Sequence, residues 1–360
     1  MYAKRNYSVK VMLLWTRRYI YKFILIATIP TVLYEVLDWK FIHLPWLPIA
    51  LVGSALAFIV GFKNNASYGR LWEARKVWGG IVNTSRSFTM MLNDMVTNEH
   101  AKEPKSNKEL FDLRKEMVLR HVAWMTALRH ALRAPKPWEM SNKNSSDREY
   151  MRDVKINERI HSLEEELEGY LSPSEKEFVL SQSNKQGACL NLQSKQLRKL
   201  KESGHIWEFS FLEMENQLVE LFTLQGKLER IKNFPYPRQF ATLNLFFVWI
   251  FIVLLPFGVI SIFDEIGLSI LESYEVPSRL IQMIGNNFVW LSIPFSVVIS
   301  WIFHTMERIG EVSENPFEGI ANDVPITTMS RGIEIDIRQM IGDDSRLIPD
   351  PISEQKGIQM

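Results

Sequence analysis

The stretch Gln239–Phe263, QFATLNLFFVWIFIVLLPFGVISIF, runs for 25 residues without a charge. As a helix rising 1.5 Å per residue it reaches roughly 37 Å, enough to cross a bilayer core with tilt. Three further blocks lie outward from it. Leu280–Phe303 is 24 residues free of Asp, Glu, Lys and Arg, bounded by Arg279 before it and by His304 and Glu307 after it. Leu44–Phe62 gives 19 uncharged residues opening with Pro45 and Pro48, which suit the first turn of a helix. Phe23–Leu37 is long enough only if Tyr19–Phe41 is included, with Pro30 inside it and Glu35 near its far end. A mean hydropathy of −0.08 over the 360 residues averages these blocks with the charge-rich segments between them, and so hides a membrane protein.

The expected architecture is therefore all-α, with four transmembrane helices per subunit plus a helical cytosolic domain. The divisions are a cytosolic N-terminal segment 1–18, helices one and two in 19–62, the cytosolic domain 63–238, helices three and four in 239–304, and a cytosolic C-terminal segment 305–360. The opening MYAKRNYSVKVMLLWTRRYIYK is basic, and no small-residue cleavage site comes after the first block, so a retained span is expected. Orientation is set by Lys and Arg beside the spans, which stay cytoplasmic. Lys4, Arg5, Lys10, Arg17, Arg18 and Lys22 precede the first span with no acid among them. The third-to-fourth connection instead carries Asp264, Glu265, Glu272 and Glu275 against Arg279 alone. Both termini and the long middle are then cytoplasmic, in the cell membrane.

The middle reads as helix, because apolar residues recur at three and four, as in Leu113, Met117, Val122, Met125 and Leu128. Turns are expected at Ala134–Pro137, at Ser172–Pro173–Ser174 ahead of Glu175, and at Ser203–Gly204; Ser141–Arg152 reads as polar loop. The acidic run Glu164, Glu165, Glu166 and Glu168 reads as a solvated helix face. From Gly332 onward, Ile333, Ile335, Ile337 and Ile341 among charges suit either packing on a neighbouring subunit or a frayed tail.

Several chemistries lack their anchors. Forty-two Lys and Arg against 41 Asp and Glu leave a net charge of +1, which with no zinc-knuckle pattern argues against nucleic acid as a partner. Cys189 is the one cysteine, and the seven histidines form no pair spaced for a metal, so no metal site is expected. No phosphate-cradling glycine loop or Gly-x-Ser-x-Gly elbow occurs, so there is no catalytic residue to name and the chain is not expected to be an enzyme. A secondary transporter would need a mid-membrane site and related halves, and no internal repeat is visible. A membrane-anchored scaffold is the remaining alternative.

The second block holds a different signal. Ser54, Phe58 and Phe62 stand four apart on one helix face, among the small residues Gly53, Ala55, Ala57 and Gly61. Close helix packing is one use of such a pattern. If several copies of the helix surround an axis, the row becomes stacked rings about 12 Å deep, a dry throat that gates by wetting, with Lys63 and Asn64 at its inner mouth.

At the inner end of that block the chain continues as GFKNNASYGRLWEARKVWG, Gly61–Gly79, with no proline to stop the helix. Together with LERIKNFPYP at Leu228–Pro237 and ENPFEGIANDVPI at Glu314–Ile326, in that order and at those distances, this stretch resembles prokaryotic bestrophins. The resemblance implies a homopentamer of identical subunits in the lipid bilayer around one axial ion pathway. It implies a hydrophobic neck at Ser54, Phe58 and Phe62, with Ser54 polar where an apolar residue is usual. It also implies a second, cytosolic constriction at Phe209. Eukaryotic bestrophins carry a run of acids after Asn-Pro-Phe that helps clasp calcium. Here, between Glu318 and Asp323, Gly319, Ile320 and Ala321 occupy the gap where acids would stand, so no calcium clasp and no cofactor are expected. A ring of Lys63 would favour chloride or other anions among monovalent ions, with a monovalent cation channel as the alternative.

Overall fold

The structure, a computed structural model, describes residues 1–139 and 145–360. Among these residues it is helical, with only the isolated bridges Tyr2–Ile358 and Gln355–Ile358 of extended pairing. Two compact units divide the chain: Arg5–Gly69 with Tyr236–Glu314, and Met1–Lys4 with Arg70–Pro235 and Asn315–Met360.

The first unit holds α1 (Val9–Glu35), the start of α2 (Trp46–Met95), α10 (Arg238–Glu272), α11 (Arg279–Asn286) and α12 (Ser292–Val312). Apolar residues one and two turns apart meet in its core, where Phe23, Leu56 and Val60 pack with Val248, Phe251 and Leu255. Glycine permits the closest approaches. A Cβ on Gly53 would sit 2.8 Å from the Phe251 ring, and one on Gly267 would come 2.5 Å from the Gly285 carbonyl oxygen. Three stretches among the described residues are long and apolar enough to cross a membrane: Lys40–Met95, Arg238–Glu272 and Phe288–Val312. The first expected span differs from its forecast. Helix α1 starts at Val9, ends at Glu35 and is not one of the three, since cations occupy its first half. It nevertheless packs along α10 and α12, and the Trp301 indole donates to Thr16 Oγ1 at 3.0 Å.

The fourth uncharged block is not one helix. It divides into α11, a 3₁₀ turn at Phe288–Leu291 and α12. The break falls at Gly285–Asn286–Asn287, where the Asn287 amide Nδ2–H turns back to the Met283 carbonyl at 2.9 Å. Hydropathy cannot register such a break, because asparagine and glycine carry no charge. Helix α2, by contrast, is continuous for 50 residues, as its freedom from proline beyond Pro48 demands.

The second unit holds the rest of α2 with α3 (Asn107–Arg133), α4 (Ser145–Met151), α5 (Asn157–Ile160), α6 (Leu163–Leu167), α7 (Pro173–Ser181), α8 (Lys185–Glu202), α9 (Glu208–Asn233) and α13 (Ile326–Met340). Its core centres on Trp78, Phe88, Trp124 and Met117, all fully buried, with the Trp124 indole donating to Gln225 Oε1 at 2.9 Å. The turns fall where the local chemistry puts them. Ser172 and Glu175 form a capping box with Pro173 in the first turn of α7, and Gly204 takes a left-handed φ of +81° after α8.

Three expectations are corrected here. Ser145–Met151 is the short helix α4 and not loop, with Ser146 and Asp147 buried; 141–144 of that expected loop lie outside the described residues. Glu166 leaves the solvated acidic face, because it accepts from Arg129 Nη2 at 2.7 Å while His130 lies 3.5 Å away. Burial opposes its ionisation, but His130 and Arg129 outweigh that and hold its carboxyl at about 2. Finally, Ile326–Met340 is a helix packed on α3 of its own chain through buried Ile333 and Ile337, not a frayed tail.

Candidate functional site

Helix α2 has two opposed faces within the first unit. Ile49, Gly53, Leu56, Val60, Lys63 and Ser67, spaced by three and four, are buried against the unit's own core. At 100° per residue the row Ser54, Phe58 and Phe62 stands on the other side. Phe58 is 72% and Phe62 73% exposed, although each carries a benzyl group whose burial is worth about 1.5–3 kcal/mol. Ala57, Gly61, Asn65 and Gly69 share that outward side, and a Cβ on Gly61 or Gly69 would meet nothing within 4 Å. The Ser54 hydroxyl donates to the Ala50 carbonyl at 2.9 Å, so its proton is used inside the helix and only lone pairs face outward.

The outward face of α10 provides a contrast within the same unit. There Phe240, Leu243, Phe246, Phe247 and Ile250 are all exposed, an unbroken large apolar surface of the kind that suits acyl chains. The α2 row instead alternates two phenylalanines with small and polar residues, with exposed Leu47 and Leu51 on the same side nearer the start of the helix.

Lys63 and Asn64 are not where the sequence reading puts them. The Lys63 side chain is 2% exposed and its ammonium donates to the Glu307 carboxylate on α12, itself buried. Asn64 lies against Gly310 of α12. Neither belongs to the row, because Lys63 is one 100° step beyond Phe62 and so turns toward the packed face. The expected ring of unpaired positive charge is therefore replaced by a neutralised internal pair. Glu307 was missed as a functional partner; its position four residues past the last uncharged block was the available signal.

In the second unit Phe209 sits in the first turn of α9 and is 75% exposed. Leu212, Val219 and Phe222 on the same helix are exposed as well, so Phe209 is one of several outward apolar residues there. The far end of α9 is capped by a motif residue. Arg70 Nη2 donates to the Ile231 carbonyl at 3.0 Å and to that of Phe234 at 2.8 Å, placing a cation on the orphan carbonyls at the helix's negative end. Glu73, one turn on, accepts from Arg230 Nη2 at 2.9 Å.

The segment after Asn-Pro-Phe has its acids already engaged. Asp323 is buried and accepts from Arg133 Nη1 at 2.6 Å and from the Gly319 amide at 2.6 Å, while Glu318 accepts from Asn315. A guanidinium already engages Asp323, and the residues between it and Glu318, namely Gly319, Ile320, Ala321 and Asn322, add no further carboxylate. Among the described residues no group of three or more His, Cys, Asp or Glu side chains could hold a metal ion.

Comparison with known proteins gives a consistent result. The model of the family described as Bacterial/Fungal Bestrophin protein matches residues 10–271 and 274–339. The chain is 28% identical over 313 residues to the voltage-dependent anion channel-forming protein RSc3414 of Ralstonia nicotianae, covering 84% of this chain and 83% of that one. It is 25% identical over 313 residues to the voltage-dependent anion channel-forming protein YneE of Escherichia coli K12, covering 87% and 82%. The crystal structure of a bacterial bestrophin homologue from Klebsiella pneumoniae superposes with a TM-score of 0.70 at 24% identity, over 90% of this chain and 98% of that one, which establishes a shared fold.

Proposed function

This chain belongs to the bacterial and fungal bestrophin family, a family of membrane channels and not of enzymes, and on that premise we propose that it is an anion channel. Five identical subunits surround one axial pathway, and each spans the membrane four times through α1, α2, α10 and the α11–α12 pair. Both termini lie on the cytoplasmic side of the cell membrane, where the basic N-terminal segment favours them. The neck is the row Ser54, Phe58 and Phe62. A second constriction is formed by Phe209.

One observation carries this reading. The two phenylalanines of the row turn away from their own subunit, beside the small or polar Ser54, Ala57, Gly61 and Asn65, and exposed Leu47 and Leu51 continue the same side toward the start of α2. Five copies around an axis would cover that face and form two rings of phenylalanine. Such rings bind no ion; they oppose ions by the cost of removing hydration water, and so act as a gate that wets and dries. Because the Lys63 charge is neutralised by Glu307, it gives no support to anion preference. The support is the set of relatives named as anion channel-forming proteins. Calcium does not gate this channel through 314–323, since Arg133 occupies Asp323.

The test is unitary current from purified protein in a planar bilayer under asymmetric KCl. A purely anion-selective pore reverses at the chloride equilibrium potential, about 59 mV per tenfold gradient. Reversal of the opposite sign would assign the current to potassium. Silence under every gradient would end the channel reading.

A further inference from the structure

We propose that Glu213 and Glu220 on α9 set the direction of easier ion flow, as two carboxylate rings on the cytosolic side of the pathway. The proposal rests on the pore reading above, with Phe209 facing the axis.

Helix α9 exposes two different sides. Counted at 100° per residue from Phe209, the residues Glu213, Asn216, Glu220, Thr223 and Lys227 all fall within about 40° of it, and every one is exposed. Leu212, Val219 and Phe222, also exposed, lie about 60–140° round to one side. The apolar side suits burial against another copy of the chain. The Phe209 side does not, because Glu213 and Glu220 are in no ion pair or hydrogen bond among the described residues, and burying an unpaired carboxylate is costly. That side therefore keeps water, as the wall of a conduit must.

The elements packed beside this stripe leave its acids uncompensated. Helix α2 runs antiparallel to α9: the Thr97 amide donates to the His205 carbonyl at 2.9 Å, and a Cβ on Gly80 would sit 2.9 Å from Leu224. Between those two points α2 has one cation, Arg86, whose Nε donates to Asp336 at 3.1 Å. Helix α8 meets α9 on the apolar side, where Gly187, Leu190 and Asn191 border a cleft with Leu218, Val219 and Phe222. On α9 itself the next cations are Lys227, seven residues beyond Glu220, and Arg230, which donates to Glu73.

The order of charge along the stripe gives flow a direction. Steps of seven residues place Glu213, Glu220 and Lys227 about 10.5 Å apart along the helix. Phe209 lies in the first turn of α9, while the far end of the helix is joined to α10 by residues 234–237. Under the pore reading an ion arriving from the cytosol passes Phe209 and both acidic rings before Lys227, and an ion from the opposite side meets them last. Five copies put five negative charges in each ring, and the two rings are about one Debye length apart at 0.1 M salt. A potential of one to two kT, modest for such rings, changes local ion number about three- to sevenfold. Chloride is depleted where it would enter from the cytosol, and potassium is enriched there. Both effects favour outward over inward current, so the consequence holds whichever ion carries the charge.

The experiment is current from the full chain in inside-out membrane patches, whose bath faces the cytosolic side, in symmetrical 0.1 M KCl. Outward current in wild type is expected to exceed inward current about twofold or more at equal and opposite voltages, and the excess should fade in 1 M KCl, where the Debye length is about 3 Å. E213Q/E220Q should raise inward current and bring the ratio near one, while the charge-keeping E213D/E220D should retain the asymmetry. An unchanged ratio in E213Q/E220Q overturns the proposal, as does a ratio of one in wild type. E213C gives a second readout, because the native Cys189 is buried. An anionic methanethiosulfonate added to the bath should increase the asymmetry of E213C and a cationic one reduce it; current indifferent to both removes Glu213 from the pathway. That readout decides if the double variant does not fold. If F58A/F62A changes the current and the glutamate variants do not, this inference fails while the pore reading stands; a silent wild type ends the pore reading itself.

Discussion

Replacing Lys63 by Met separates the structure from the simpler view of this residue as a charge at the pore mouth. Lys63 and Glu307 are each almost wholly buried, and their ammonium and carboxylate are paired. Removing one partner strands the other charge in a packed interior, which costs about 3–5 kcal/mol, whereas exchanging both for apolar residues of similar size is near neutral or stabilising. At about 2–4 °C per kcal/mol for a domain of this class, Lys63→Met should lower the unfolding midpoint by about 6–20 °C, and Glu307→Gln should also lower it. The double variant K63M/E307L should recover most of the loss, so the two changes are strongly non-additive. Thermal unfolding of the detergent-solubilised protein, followed by intrinsic fluorescence, measures all three. In the same preparations the reversal potential of K63M/E307L in asymmetric KCl should equal that of wild type, because the pair contributes no net field to the neck. Additive losses in the double variant would refute the buried pair. A reversal potential shifted toward potassium in that variant would show that Lys63 acts on the permeating ion after all.

Truncating the neck with F58A/F62A should raise unitary conductance on the order of twofold or more and weaken closure, since a wider and less dry ring holds water more readily; unchanged currents would remove these residues from the pathway. In the cytosolic unit the Glu166 carboxyl is held at about 2 against an ordinary 4.5, so its stabilisation is complete above about pH 4.5 and drains away as the pH falls toward 2. That contribution is on the order of 3 kcal/mol, and Glu166→Gln should flatten the urea midpoint across that window; an equally steep profile would refute it. Gly204→Ala puts a Cβ at φ +81° and into the His100 carbonyl oxygen, and should cost more than about 2 kcal/mol by the same measurement. Open probability should be the same in calcium-free buffer and in millimolar calcium, and activation reversed by chelator would contradict the Arg133–Asp323 assignment.

Local pattern was enough for the helical architecture, the long apolar stretches, the uninterrupted α2 and the caps at Ser172 and Gly204, because each is written in residues within a few turns of one another. The phenylalanine row was equally legible, since a period of 3.6 puts Ser54, Phe58 and Phe62 on one side whatever they face. Even the inward turn of Lys63 was half-written there, one helical step past Phe62. Its neutralisation was not. Glu307 lies 244 residues away, and only the packing of α12 on α2 brings the two charges together. The same holds for Glu166, drawn out of an acidic run by Arg129 on another helix, and for the break in the last apolar block, where no charge marks Asn286 and Asn287. Hydropathy and periodicity report what a segment can do alone; which charge meets which, and where an uncharged helix gives way, depends on neighbours that folding supplies.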